Sequence, residues 1–100
     1  MLRHVVLWTF KDAHEGTDKP AIIATVVALL RRCEAEVPSL RTFELGGAAD
    51  GLETTYDLIL VSSFDDAAGL QAYVEHPVHQ EASAYIGQVR VERVCMDYLV

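Results

Sequence analysis

Tyr73, His76 and His79 are the residues of this chain best suited to proton chemistry, and they lie within the seven-residue run Tyr-Val-Glu-His-Pro-Val-His. Histidine has an unperturbed pKa of about 6.5, so it exchanges protons readily near neutral pH, and a nearby phenol can donate a hydrogen bond to it. Pro77 interrupts the helical pattern here, so the run is expected at a helix end. It is the first candidate for a functional site.

We interpret His79 and Tyr73 as an acid/base pair. A neutral imidazole removes a proton next to a carbonyl group, and the phenol stabilises the oxyanion that develops. The alternative is that both are buried amphipathic residues whose polar atoms satisfy open backbone groups at the helix end. His76 is interpreted as a backbone hydrogen-bonding residue beside Pro77 rather than a catalyst. Since His76 and His79 lack an evident third and fourth ligand, no metal site is predicted.

The composition indicates one folded domain over residues 1–100. Hydrophobic residues make up 51% and charged residues 23% of the chain, which excludes a disordered protein. A chain of this length has a small core, so a partner subunit would add considerable buried surface. The net charge is −7, and no basic cluster exceeds Arg31-Arg32. Nucleic acid and membranes are therefore not expected as partners.

A cytoplasmic location is the default expectation. The longest apolar stretch, residues 21–30, is too short to cross a bilayer, and Arg3 and His4 interrupt the N-terminus before a signal-type segment can build. Cys33 and Cys95 are the only cysteines and lack the spacing of a zinc or redox motif. We interpret both as reduced packing residues, although the sequence leaves open whether they meet in space.

Hydrophobic periodicity predicts the order strand, helix, strand, strand, helix, strand. Helix one is expected to start at a cap at Thr17 or Asp18 and to stop before Pro38. The final strand changes parity near Glu92-Arg93, which indicates a bulge or a later strand start. The predicted strands cover 2–10, 41–45, 56–64 and about 89–100, and the predicted helices cover about 18–36 and 66–86, the second interrupted at Pro77.

This order is that of a ferredoxin-like α+β fold, a four-stranded antiparallel sheet with both helices on one face. The strands at 2–10 and 56–64 are apolar on both faces, although the helices can cover only one face of the sheet. We infer that the bare face packs on its twin in a homodimer.

Three segments resemble the stress-responsive dimeric α/β-barrel domain family. They are Arg3-His4-Val5-Val6-Leu7 followed by Phe10-Lys11, the run from Tyr73 to His79, and Met96-Asp97-Tyr98. The His-Pro-x-His element is the most specific of these. The likeness spans essentially the whole chain and implies a homodimeric barrel with a mostly apolar pocket between helices and sheet in each subunit.

One plant branch of that family, polyketide cyclases similar to olivetolic acid cyclase, closes a ring by aldol-type chemistry without a cofactor. The resemblance implies its two catalytic roles for Tyr73 and His79, with His4 facing the same pocket. A pocket histidine of the cyclase corresponds here to Leu58, and its aromatic lining corresponds to Val26 and Val27, so the substrate's shape does not transfer. Besides Tyr73 and His79, the residues expected at the ligand pocket are His4, Val6, Trp8, Val26, Val27, Leu58 and His76.

Two functions stay open. The first is a cofactor-independent enzyme that performs an aldol-type cyclisation or a lyase step on a polyketide-like or aromatic carbonyl compound. The second is a non-catalytic stress-response or ligand-binding protein that holds a small apolar or aromatic ligand in the same dimer. A cofactor-free monooxygenase fits the fold but not the His-Pro-x-His element.

Overall fold

The computed structural model describes all 100 residues and contains a four-stranded antiparallel sheet with helices on one face. Its order is β4-β5-β1-β6, and a separate two-stranded hairpin precedes the first helix. The predicted ferredoxin-like α+β fold is thereby confirmed. The elements are β1 Leu2–Phe10, β2 Ala13–His14, β3 Thr17–Asp18, α1 Lys19–Glu36, β4 Thr42–Gly47, β5 Leu58–Phe64, α2 Ala67–Glu75, α3 Pro77–Val89 and β6 Arg90–Leu99.

Strand β1 organises the sheet because it pairs with β5 on one side and with β6 on the other. Successive side chains of a strand point to opposite faces, so β1 serves two surfaces at once. The face under the helices is buried at every second position. The buried side chains of β1 are Leu2, His4, Val6, Trp8 and Phe10.

Aspartate caps begin the first two helices. The carboxylates of Asp18 and Asp66 accept a hydrogen bond from the backbone N–H of the third residue of α1 and α2, at 3.1 and 2.9 Å, which satisfies donors that lack a partner within the helix. Helix α1 ends at Glu36 because Val37 is extended and precedes Pro38. No helix of the protein is both long enough and apolar enough to cross a membrane.

His76 separates α2 from α3 and caps both of them. Its backbone is extended, and its Nδ1 accepts the N–H of Val78 at 3.2 Å, while Pro77 takes the first position of α3, where it needs no N–H partner. The backbone role expected for His76 is confirmed. The predicted end before Gly87 is wrong, since α3 continues to Val89. Its buried stripe holds it on the core past the glycine, and that stripe comprises Val78, Ala82, Ile86 and Val89.

The edges of the sheet differ in detail from the sequence prediction. Strand β6 begins at Arg90, and the register shift in its pairing leaves Val91 as the extra residue opposite Thr9 and Phe10, so the bulge lies slightly earlier than expected. The small β2–β3 hairpin was not predicted. Its turn places Glu15 and Gly16 at positive φ, which suits the twist of a two-residue hairpin loop.

The second face of the sheet carries no helix. Met96 lies directly opposite Val5 across β1 and β6 and is 67% exposed. A contiguous apolar patch of this kind is typical of a protein interface. This bare face comprises the apolar side chains of Val5, Leu7, Ile59, Val61, Val94 and Met96.

We expect the Val5→Asp variant to be a folded monomer at concentrations where the wild type is a dimer. Val5 lies between Val61 and Met96 on the bare face, so a carboxylate there would be desolvated in the interface. Sedimentation velocity at micromolar concentration measures the change, and Leu52→Asp, at an exposed loop position, is the matched control. A wild type that sediments as a monomer contradicts the inferred dimer.

We expect His76→Ala to lower the free energy of unfolding by about 1 kcal/mol, in the range measured for lost helix caps. His76→Asn keeps a side-chain acceptor and should recover most of the loss. Urea unfolding of the three proteins provides the measurement. Equal losses for the two variants would show that the imidazole is needed for something other than capping.

Candidate functional site

A cavity of about 400 Å³ lies between the helices and the covered face of β1, a size typical of small-molecule sites. Apolar side chains from β1, α1, β5, α2 and α3 form its walls. Polar groups project from the same walls, and the exposed Arg90 and Arg93 form a rim beside β6. The apolar lining includes Val6, Leu30, Leu60, Ala82 and Ile86, and the polar lining includes His4, Trp8, Tyr73 and His79.

Tyr73 and His79 contact each other across the break between α2 and α3. Their ring centroids are 4.5 Å apart with the planes inclined by 58°. On one continuous helix, residues six apart would point in directions about 120° from each other. The extended conformation of His76 removes that separation and brings the phenol and the imidazole into the same cavity.

The orientation of His79 is fixed by the end of α2. Its Nδ1 lies 3.1 Å from the carbonyl oxygen of Val74. Because a carbonyl can only accept, Nδ1 carries the proton and Nε2 is the free basic nitrogen. Burial lowers the pKa of His79, and the charges of His4 and Arg93 lower it further against the opposing effect of the Val74 bond. The imidazole is therefore neutral at pH 7.

Tyr73 is a buried phenol that keeps its proton near neutral pH. It is only 1% exposed, and burial raises its pKa well above the ordinary value, with a further contribution from Cys33 and an opposing one from Arg93. No hydrogen bond contributes to that pKa shift. The phenol thus stays protonated and is free to donate to a ligand oxygen.

His4 adds a second imidazole to the lining of the cavity. Its ring lies edge-on to Tyr73, with centroids 6.3 Å apart, and its Nδ1 is 2.5 Å from Oδ1 of Asp97. Asp97 is directly opposite His4 in the β1–β6 register. A carboxylate on one ring nitrogen fixes the orientation of the imidazole and leaves the other nitrogen for a ligand.

Cys95 joins His4 and Asp97 in a cluster that has the residue types of a metal site. Its Sγ lies 3.6 Å from His4 Nδ1 and 3.8 Å from the Asp97 carboxylate. Ligand nitrogen and oxygen atoms on a tetrahedral zinc ion are about 3.3 Å apart, whereas the His4–Asp97 separation is that of a hydrogen bond. Burial and Asp97 also raise the pKa of the Cys95 thiol. This geometry suits an orienting hydrogen bond better than a metal ion.

The structure brings five of the predicted site residues together, namely His4, Val6, Trp8, Tyr73 and His79. Val26 lies instead in the core, and Val27 packs against that core. Leu30, one turn further along α1, is the residue through which this helix reaches the cavity. The resemblance gave the helix correctly but not the turn that faces the site.

Leu58 and His76 also lie outside the cavity. Leu58 is buried opposite Trp8, so the indole forms the wall at that level and Leu60 supplies the contribution of β5. His76 is occupied as a helix cap. Cys33 is buried as expected, and burial raises its pKa to about 11, whereas Cys95 is exposed instead of packed. Both thiols are free.

Sequence reasoning assigned no role to Arg90, Arg93 or Asp97. All three lie on β6, and only the pairing register shows which side chains of this strand face the helices. The one available signal was parity, since Arg93 and Asp97 alternate with the apolar residues Val94 and Met96 of the bare face.

Comparison with known proteins gives the family of this chain. The model of the stress responsive A/B barrel domain matches residues 2–100. An uncharacterized protein of Streptomyces coelicolor is 36% identical over 84 residues, which is 84% of each chain. A dimeric ferredoxin-like protein of unknown function from Thermobifida fusca is 26% identical, with a TM-score of 0.85 over 99% of this chain and 90% of that one.

Hydroxynitrile lyase from Passiflora edulis shares the fold, at 16% identity and a TM-score of 0.82 over 99% of this chain and 92% of that one. The dimeric state of the Thermobifida neighbour supports a homodimer here. The match over nearly the full length, together with the sheet, the divided second helix and the Tyr73–His79 contact, leads to one conclusion. The chain belongs to the stress responsive A/B barrel domain family.

Proposed function

We propose that this protein is a homodimeric, cofactor-independent enzyme of the cytoplasm that binds a polyketide-like or aromatic carbonyl compound. In this proposal His79 and Tyr73 perform acid/base chemistry beside the carbonyl group. One observation carries the proposal: the rings of His79, whose Nδ1 is held by the Val74 carbonyl, and of the buried Tyr73 have centroids 4.5 Å apart in a largely apolar cavity. A base and an oxyanion donor held together are what enolisation requires.

In the proposed ring closure, the proton that His79 removes from the substrate is returned to the product. His79 Nε2 takes a proton from the carbon next to a carbonyl, and the electron pair moves onto the oxygen, where the Tyr73 hydroxyl stabilises the enolate. The enolate carbon then attacks a second carbonyl of the same substrate and closes a ring. The resulting alkoxide takes back the proton from the His79 imidazolium, which regenerates the enzyme.

A lyase step uses the same two groups in the opposite direction. His79 removes the proton of a substrate hydroxyl, the carbon–carbon bond breaks as a carbonyl forms, and the departing carbanion is protonated by the imidazolium. In both the ring closure and the lyase step, Tyr73 stabilises the negative charge on oxygen. The apolar walls support a substrate whose remaining surface is hydrocarbon.

A second candidate is ligand binding without catalysis, as in a stress-response protein. The observation in its favour is the bond from His79 to the Val74 carbonyl. That carbonyl is one of the open backbone acceptors at the end of α2, so the histidine also has a purely structural role. Both candidates use the same cavity and differ in turnover.

We expect His79→Ala and Tyr73→Phe to lower turnover by about 100-fold or more, since positioned acid/base groups contribute factors of this size. The measurement uses a panel of β-polyketides and aromatic keto acids, with ligand binding followed in parallel. His14→Ala, on the β2–β3 hairpin outside the cavity, is the matched control. Equal binding and no turnover in all of these proteins would establish the second candidate.

We expect kcat/KM to rise with pH through a single midpoint below 6.5 and then to stay level to about pH 9. Protonated His79 cannot accept a proton, and its pKa is lowered, so the active neutral form persists below the pH at which free histidine titrates. The raised pKa of Tyr73 keeps the phenol protonated over the plateau. A midpoint above 6.5 would show that another group is the base.

A further inference from the structure

The charge of the cavity is opposite to the charge of the chain. The protein has 15 acidic and 8 basic residues, yet none of the 14 residues that line the cavity is acidic, and two of them, Arg90 and Arg93, are arginines. A site that collects positive charge on an acidic protein concentrates anions from solution.

These two arginines also lack carboxylate partners. Four of the eight lysines and arginines form ion pairs with carboxylates, and Arg90 and Arg93 are not among them. Arg3 and Lys11 are unpaired as well, but of the four unpaired cations only Arg90 and Arg93 line the cavity. The paired cations are Lys19, Arg31, Arg32 and Arg41.

Arg93 is the better placed of the two. It lies directly opposite Trp8 in the β1–β6 register, on the face that the helices cover. It lines the same cavity as Tyr73 and His79, where its positive charge opposes the rise in the pKa of Tyr73 and adds to the lowering of the pKa of His79. It therefore has access to a ligand that contacts them.

Trp8 supplies an independent sign of a missing partner. Its side chain is 4% exposed and lines the cavity, and its Nε1 is the single buried side-chain nitrogen or oxygen without a hydrogen bond. An indole N–H can only donate, and a buried donor of this kind normally has an acceptor. An anionic oxygen at the Arg93 end of the cavity would provide one.

We propose that the cavity selects a ligand with a carboxylate, which binds to the guanidinium of Arg93 and accepts a hydrogen bond from Trp8 Nε1. His4 and Trp8 are four residues apart on β1, or about 13 Å along the strand. A carboxylate at the Trp8 end thus leaves the carbonyl of a medium-length chain beside Tyr73 and His79. The inference rests on the proposed function for that orientation, and it narrows the substrate class to keto acids.

The test measures binding of two eight-carbon probes, octanoate and 1-octanol, by isothermal titration calorimetry at pH 8. Neither probe has the second carbonyl needed for ring closure, so the result does not depend on turnover. Trp8 is the only tryptophan of the chain, and a change in its emission during titration shows that the probe occupies the cavity. The variants are Arg93→Gln and, as a control of equal charge change on the outer face of α1, Arg31→Gln.

We expect the wild type to bind octanoate at least about tenfold more tightly than 1-octanol. Arg93→Gln should weaken octanoate binding by about 10- to 100-fold, the loss expected for a charge-assisted pair, and should change 1-octanol binding less than about twofold. Arg31→Gln should leave both affinities unchanged. An arginine that merely packs on Trp8 would, when replaced, weaken both probes alike.

The proposal is overturned by a wild type without preference for octanoate, or by a preference that survives Arg93→Gln. If circular dichroism shows that Arg93→Gln does not fold, the salt dependence of the wild type decides. Octanoate affinity that falls with sodium chloride while 1-octanol affinity stays constant supports the ion pair, and equal behaviour refutes it. Arg93-dependent octanoate binding in a protein without turnover would keep this inference and remove the catalytic one.

Discussion

The break in the second helical segment is the constraint on which the site depends. A proline disfavours the helical conformation at the residue before it, so α2 ends at His76, which is extended. His76 then makes hydrogen bonds to the backbone on both sides of the break, to the carbonyl of Tyr73 and to the N–H of Val78. The interruption redirects the chain so that Tyr73, at the end of α2, meets His79, in the first turn of α3. Without it, the geometry of a regular helix would point these two side chains to different surfaces.

Burial then determines how the two groups differ chemically. The same dry surroundings raise the pKa of the phenol and lower the pKa of the imidazole, because burial disfavours the charged form of each. One group is therefore kept as a donor and the other as an acceptor. The pair is suited to moving a proton to and fro at neutral pH.

Strand β1 links this site to assembly. Its covered face carries His4 and Trp8 into the cavity, while its other face carries Val5 and Leu7 into the apolar patch that the helices leave open. Burying about 600 Å² of such surface in each subunit would contribute on the order of 15 kcal/mol per subunit before the costs of association. A dimer formed through the bare face leaves the cavity on the opposite side of the sheet.

Local patterns in the sequence predicted the main strands and helices, the two-sided strands and the closeness of Tyr73 to His79, and the family resemblance indicated which face of β1 the helices cover. They did not predict Asp97 or Arg93, because the partner of a residue on another strand depends on register, which a single strand does not encode. Val26 and Val27 were assigned to the pocket by correspondence with another protein, and the turn of α1 that faces the cavity here is the one with Leu30. The extent of α3 beyond Gly87 was set by packing, which overrides the weak helix preference of glycine.

The most direct test of the account is a nuclear magnetic resonance titration of the imidazole of His79 with labelled nitrogen. We expect a neutral ring protonated on Nδ1 at pH 7, a pKa below 6.5, and magnetisation transfer between the ring protons of His79 and Tyr73. A ring protonated on Nε2, or the absence of contact with Tyr73, would contradict the claim that the helix break assembles a base and a phenol in one cavity.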